Sequence, residues 1–138
     1  MPTDFLDAHE RHWQDAELLL DNQRWANADH LYGMAAECGL KRLMVAFGMP
    51  YDSSGGRPTE KKDIKHADQI WVRYEAYRSK HHQGSGYPLP NANPFSNWRA
   101  EQRYDHHTQF TDATARDHRA GVEEVRKLLK KAEREGLI

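Results

Sequence analysis

The chain has little of what builds cross-linked or membrane-spanning proteins. Its 138 residues contain one cysteine, so no internal disulfide can form and a reducing compartment is the default expectation. No apolar run approaches the roughly 18 residues that a membrane span needs. The N-terminus lacks a basic segment followed by an apolar one, so we expect no signal peptide, no membrane partner and a cytoplasmic location.

Several catalytic signatures are also missing from the sequence. It has no Gly-rich phosphate-binding loop, no pair of cysteines at zinc spacing and no Gly-x-Ser-x-Gly motif. The one cysteine, Cys38, follows Glu37 inside an apolar pattern, which is typical of a small buried residue. We therefore expect neither a metal nor a cofactor.

Charge is abundant but nearly balanced. Charged residues make up 30% of the chain, yet the formal net charge is −1, which argues against a general polyanion binder. Acidic residues dominate 1–48 and basic residues dominate 57–82. Such asymmetry leaves room for a local basic surface, although ordinary solvated helix faces are the better-supported explanation.

Apolar residues recur at helical spacing in the first third of the chain. Leu6, Trp13 and Leu20 repeat every seven residues and predict a helix that is capped by Thr3 and broken at 22–24. A second helix is predicted from residue 25 or 27 to 47. Within it, a stripe of small residues predicts that a neighbouring helix approaches closely; its members are Gly33, Ala36 and Gly39.

The remaining pattern predicts two further helices and no strand. We expect a third helix over about 59–81 capped by Thr59, and a last helix that begins near Thr111 and ends at Gly136. Residues 49–58 and 82–94 are predicted loops, and a short helical piece is expected within 95–107. The fold class is therefore all-α, an antiparallel bundle of four main helices plus a short helix, in one domain spanning 1–138.

Several polar residues have both a structural and a functional interpretation. Glu37 lies in the most apolar helix, where Lys41 one turn later is expected to pair with it. His9 and His12 are expected to be packed or surface histidines. A weaker alternative is a metal site in which at least three imidazoles meet; its candidate ligands are His81, His82, His106 and His107.

The densest chemistry lies between Trp98 and the last helix. This segment carries Arg99, Arg103, Tyr104, Asp105, His106 and His107. An arginine can hold a phosphate through two hydrogen bonds, and a histidine can exchange a proton with a ribose hydroxyl or a leaving oxygen. This pairing performs metal-free chemistry on a phosphodiester. Arg–His spacing alone is a weak signal, because it often arises by chance.

Three segments resemble HEPN domains (higher eukaryote and prokaryote nucleotide-binding domains). Residues 27–43, with Ala-x-Glu and Leu-Lys, resemble the second helix of the family, and residues 4–22 resemble its first. Trp98 with Arg103-Tyr104 resembles the Arg-Tyr element before the last helix in one bacterial branch. The resemblance covers roughly residues 4–135.

The resemblance implies an all-α bundle that dimerises and cuts RNA without a metal. Many members use an Arg-x(4–6)-His motif at a cleft between two copies, and Arg99 and His106, with six residues between them, fit it. Arg99 would hold the scissile phosphate and His106 would act as acid or base, supported by the neighbouring residues Arg103, Tyr104, Asp105 and His107. Basic residues are expected near the cleft, namely Arg73, Arg78 and Lys80.

A non-catalytic alternative stays open. The residue after the motif arginine is often polar in active members but is Ala100 here, and alignment on Arg103 would leave the histidines too close. The chain would then be an interaction or nucleotide-binding module, acting with a partner such as a nucleotidyltransferase of a toxin–antitoxin pair. That alternative predicts Arg103 tied to a carboxylate and His106 facing solvent. Both alternatives predict a homodimer, with aromatic residues as one source of contact area: Trp71, Tyr74, Phe95 and Trp98.

Overall fold

Four α-helices make up most of residues 3–138, the part of the chain that the computed structural model describes. They are α1 (Phe5–Asp21), α2 (Trp25–Ala46), α3 (Ala67–Arg78) and α4 (Asp112–Arg134). Short 3-10 helices span Lys61–Asp63, Gly84–Gly86, Ala100–Tyr104 and His107–Gln109. A two-stranded antiparallel sheet pairs β1 (Tyr51–Asp52) with β2 (Arg57–Pro58). The predicted all-α class with four main helices is confirmed.

α2 lies at the centre of the bundle and contacts α1, α3 and α4. Two of its glycines allow this central position because they leave room for neighbouring side chains. The indole of Trp98 lies directly against Gly33, and Val125 and Leu129 of α4 lie against Gly39. The predicted close approach of a neighbouring helix is confirmed at Gly39, whereas Gly33 is approached by Trp98, which lies outside the helices.

Cys38 is buried on α2 as a free thiol. Burial, followed by the nearby Glu37 carboxylate, raises the pKa of Cys38 to about 12. The thiol is therefore protonated at neutral pH, and its predicted role as a small buried residue is confirmed.

The N-cap of α1 is Asp4 and not Thr3. The Asp4 side chain accepts a hydrogen bond from the backbone N–H of Asp7 at 2.9 Å. Thr3 instead donates its backbone N–H to the carbonyl of Ser53, in the turn between β1 and β2. The prediction missed this contact because it depends on a segment fifty residues away.

Two predictions for residues 49–81 are wrong. The predicted loop contains the β1–β2 hairpin, whose turn is closed by Asp52 accepting from the backbone of Ser54. The third helix begins at Ala67, not near Thr59. Buried Asp63, in the preceding 3-10 turn, accepts hydrogen bonds from Arg73 and Tyr77, and these contacts hold the turn against the side of α3 so that it does not continue the helix.

The predicted loop after α3 is fastened to the bundle along its length. Tyr74 donates its hydroxyl to the carbonyl of Tyr87, and the Trp71 indole donates to the carbonyl of Pro90. At the far end of α4, Glu135 accepts from the Tyr87 hydroxyl and Lys131 donates to the carbonyl of Gly86. This loop is therefore a structural strap across α3 and α4.

The last helix begins where predicted, at Asp112, and Thr111 caps it by accepting from the backbone N–H of Thr114. The aromatic residues considered for a dimer contact are instead all buried in the core of the single chain; they are Trp71, Tyr74, Phe95 and Trp98. Within the described residues, no helix combines the length and apolar character that crossing a membrane would require.

Candidate functional site

The Arg/His segment begins directly after a core residue. Trp98 is fully buried, and its indole N–H donates to the backbone carbonyl of Asp29 at 3.1 Å. The next turn is closed by Gln102, which accepts from the backbone N–H of Arg99 at 3.1 Å. With Trp98 anchored inside, the side chains of Arg99 and of its polar neighbours are presented at the surface.

Arg99 and Asp105 form an open ion pair. The Nη2–Oδ2 distance is 3.4 Å, and the two side chains are 61% and 39% exposed. Exposed pairs of this kind contribute little to stability. Both residues line a cavity of about 250 Å³, so the guanidinium can exchange Asp105 for an incoming anion.

Arg103 and Tyr104 form a surface stack beside this pair. The Arg103 guanidinium lies 4.7 Å from the ring centroid of Tyr104 and donates to the carbonyl of Ala100 at 2.8 Å. Tyr104 is 78% exposed. The expected tie of Arg103 to a carboxylate is wrong for the described residues, because Asp105 pairs with Arg99 instead.

His106 and His107 are both exposed, with ring centroids 4.5 Å apart. The Nδ1 atom of His106 lies 2.8 Å from the Thr108 hydroxyl. The Nε2 atom has no hydrogen-bond partner within residues 3–138. His106 does not line the cavity of Arg99 and Asp105, whereas His107 lines a neighbouring cavity that also includes Asp105.

A buried polar network lies beneath the Arg99 cavity. Asp29 of α2 accepts from the Gln102 amide at 2.7 Å and contacts Nδ1 of His118 at 2.8 Å. The other ring nitrogen of His118 lies 2.7 Å from the Asn97 side-chain oxygen. Asp29 and His118 are each 1% exposed. The network joins α2, α4 and the functional segment, and so fixes where Arg99 emerges.

The sequence analysis did not identify this network, although a signal was present. His118 precedes Val122 and Val125 on the core face of α4, and Asp29 precedes Gly33 on the core face of α2. A buried acid and a buried histidine each need a partner, because burying an unpaired charge is costly. Asking which buried polar groups could pair would have suggested this contact.

His30 is a second residue that the sequence analysis passed over. Its ring stacks on Trp98 with centroids 5.5 Å apart, and its Nδ1 atom is buried with no hydrogen-bond partner in the described residues. Burial, and after it the nearby Arg103, lowers the pKa of His30. This imidazole is therefore neutral at physiological pH. By stacking on Trp98, it supports the residue that anchors the Arg/His segment.

The other polar predictions have mixed outcomes. The Glu37–Lys41 pair is confirmed at 3.0 Å, and His9 is buried with Nδ1 against the carbonyl of Ala35. The basic residues expected beside the site are engaged in α3 contacts instead, Arg73 with Asp63 and Arg78 with Glu75. Among residues 3–138, no three His, Cys, Asp or Glu side chains are placed to hold a metal ion.

The Glu37 carboxylate has a further partner, since Nδ1 of His66 lies 2.9 Å from it. Burial opposes ionisation of Glu37, but its contacts with His66 and Lys41 outweigh burial and lower its pKa. The hydrogen bond to Glu37 outweighs partial burial and raises the pKa of His66. Protonated His66 therefore ties the start of α3 to α2.

We expect the stability conferred by His66 to depend on pH. When a folded-state pKa is raised, the stabilisation is complete below the unfolded pKa and is lost as pH rises through the folded pKa. His66→Gln should therefore be less stable than wild type at pH about 6, by a margin that shrinks as the pH rises through the raised pKa of His66. Urea unfolding across pH measures this margin, with exposed His82→Gln as the control. A margin that grows with pH would contradict the assignment.

The chain matches no protein-family model, no curated protein and no solved structure. The resemblance to HEPN domains therefore stays a prediction, and the functional argument depends on the residues themselves. The fold and the site define the structural class of the chain: an all-α bundle with an exposed Arg/His segment that is anchored by Trp98.

Proposed function

We propose that the chain is a metal-independent endoribonuclease of HEPN type, in which Arg99 and His106 act on a phosphodiester. One observation carries the proposal. The guanidinium of Arg99 contacts the carboxylate of Asp105, and Asp105 is the residue next to His106. A phosphate that displaced Asp105 from Arg99 would therefore sit beside the His106 backbone, at a surface that RNA can reach.

The chemistry follows from these groups. Arg99 would hold two phosphate oxygens and stabilise the charge that develops on them. An imidazole would remove the proton of the ribose 2′-hydroxyl, whose oxygen attacks phosphorus to form a cyclic phosphate while the 5′-oxygen leaves with a proton. His106 is one imidazole for these transfers; its Nδ1 atom accepts from the backbone N–H of Thr108, so the neutral ring carries its proton on Nε2. His107, with its ring centroid 4.5 Å away, is a candidate for the complementary acid or base.

A second candidate is a non-catalytic binding module of the same fold. It is favoured by the placement of His106 outside the cavity that Arg99 and Asp105 line. Under either proposal we infer a cytoplasmic homodimer in a toxin–antitoxin or defence system, with RNA as the ligand. The binding module would act through a nucleotidyltransferase-type partner protein.

RNA cleavage distinguishes the two candidates. We expect purified wild type to cut total RNA in the presence of EDTA. His106→Ala should be at least about 100-fold slower because it loses proton transfer, and Arg99→Ala by a similar factor because it loses charge stabilisation. His82→Ala, an exposed histidine beyond α3, is the matched control and should cleave like wild type. Intact RNA at high wild-type concentration, or an undiminished rate in His106→Ala, would overturn the nuclease proposal.

A further inference from the structure

A second cavity lies against the proposed active segment. It has a volume of about 400 Å³, within the range of small-ligand sites, and opens between the α1–α2 turn and residues 105–107. Its lining combines an indole, two amides and charged groups; these residues are Gln23, Arg24, Trp25, Asn27, Asp105 and His107. Asp105 also lines the Arg99 cavity, so the two cavities are neighbours.

The polar side chains that residues 23–27 contribute to this cavity form no hydrogen bonds that stabilise the fold of the described residues. Gln23, Arg24 and Asn27 are exposed and make no side-chain hydrogen bond within the described part of the chain. Trp25 is half-buried against the core, and its indole N–H likewise has no acceptor there. An aromatic face flanked by free amides and a cation has the chemistry of a base-binding pocket.

We infer that this cavity takes one unpaired base of a single-stranded RNA, adjacent to the phosphate held by Arg99. The base would stack on Trp25, the Gln23 and Asn27 amides together with Asp105 would meet its polar edge, and Arg24 would contact a flanking phosphate. His107 would lie between this base and the scissile bond. The inference rests on the proposed RNA chemistry of the neighbouring segment and adds its substrate class.

The shape of the cavity argues for single strands over duplex. Bases in an A-form helix are stacked on each other, and their edges face grooves that side chains read poorly. Only a base that is splayed out of the stack can enter a concave pocket and lie on an indole. A duplex would meet the outer surface alone, through its phosphates.

Binding by the full chain tests the inference. His106→Ala is used as the background so that the RNA stays intact, and the probe is an unstructured, fluorescein-labelled RNA of twelve nucleotides, alone or as a duplex. By fluorescence anisotropy we expect the single strand to bind more tightly. Adding Trp25→Ala should weaken single-strand binding about tenfold, and Asn27→Ala should weaken it by a smaller factor.

Matched controls separate a lost contact from a lost fold. Gln14→Ala and Arg134→Ala remove an exposed amide and an exposed cation that line neither cavity, and they should bind like the background. Because Trp25 is partly packed, circular dichroism checks its variant. Asn27 is exposed, so its variant keeps the test valid if Trp25→Ala does not fold.

Each outcome has a defined meaning. Absence of RNA binding, equal binding of single strand and duplex, or undiminished binding by both the Trp25 and Asn27 variants would overturn the base-pocket inference. Cleavage by wild type with unchanged binding in those variants would keep the nuclease and refute the pocket. Cavity-dependent binding without cleavage would support the pocket and overturn the nuclease proposal alone.

Discussion

Gly33→Ala is expected to lower the free energy of unfolding by about 3 kcal/mol or more. A Cβ atom at Gly33 would lie 2.0 Å from Cε2 of the Trp98 indole. Trp98 cannot simply move aside, because it is fully buried, donates to the carbonyl of Asp29 and stacks on His30. Either the segment after Trp98 or helix α2 must shift, and both belong to the core.

Gly136→Ala is the matched control for this prediction. Gly136 has a φ of +73° and no atom within 4 Å of an added Cβ, so only the backbone penalty of about 1 kcal/mol applies. Urea unfolding followed by circular dichroism compares the two variants with wild type. If Gly33→Ala were no less stable than Gly136→Ala, the contact with Trp98 would not be a rigid one.

Asp29→Ala is expected to lower the unfolding free energy by about 2–5 kcal/mol, since each buried polar group left without a partner costs about 1–3 kcal/mol. The change removes the acceptor for the Gln102 amide and the contact of His118 Nδ1. Both partners are buried, so water does not readily replace the lost carboxylate. Two polar groups would be left unsatisfied between α2 and α4.

Asp15→Ala provides the comparison, because Asp15 is an exposed acid in the middle of α1 with no ion pair among the described residues. It should change stability by less than about 0.5 kcal/mol. Asp29→Asn retains the shape of the side chain and should cost less than Asp29→Ala. Thermal unfolding of the three variants measures these differences in stability. A loss below about 1 kcal/mol for Asp29→Ala would refute a structural role for the network.

The sequence was sufficient for elements whose signals are local. The break at 22–24, the course of α2 and the start of α4 near Thr111 were predicted from the sequence pattern. Elements that depend on distant contacts were not. The late start of α3 depends on Asp63 meeting Arg73 and Tyr77, and this partner choice is invisible in a hydrophobic pattern.

The same distinction holds at the candidate site. Arg99 and His106 are surface residues whose spacing can be read directly, and the structure presents both at the surface. Asp29 and His118, which support the segment from below, are 89 residues apart and meet only after α2 and α4 pack. The polar residues of the Arg/His segment could therefore be predicted from the sequence, whereas the buried residues that support the segment could not.

The adjacency of Trp98 and Arg99 has a kinetic consequence. Surface loops that carry functional groups usually open on their own, at a small fraction of the free energy of global unfolding. Here the segment starts at an indole wedged against Gly33 in the middle of the bundle, so it cannot detach without unpacking α2. Local opening at the start of the segment and global unfolding become one event, and the lifetime of the site in its working geometry is that of the native state.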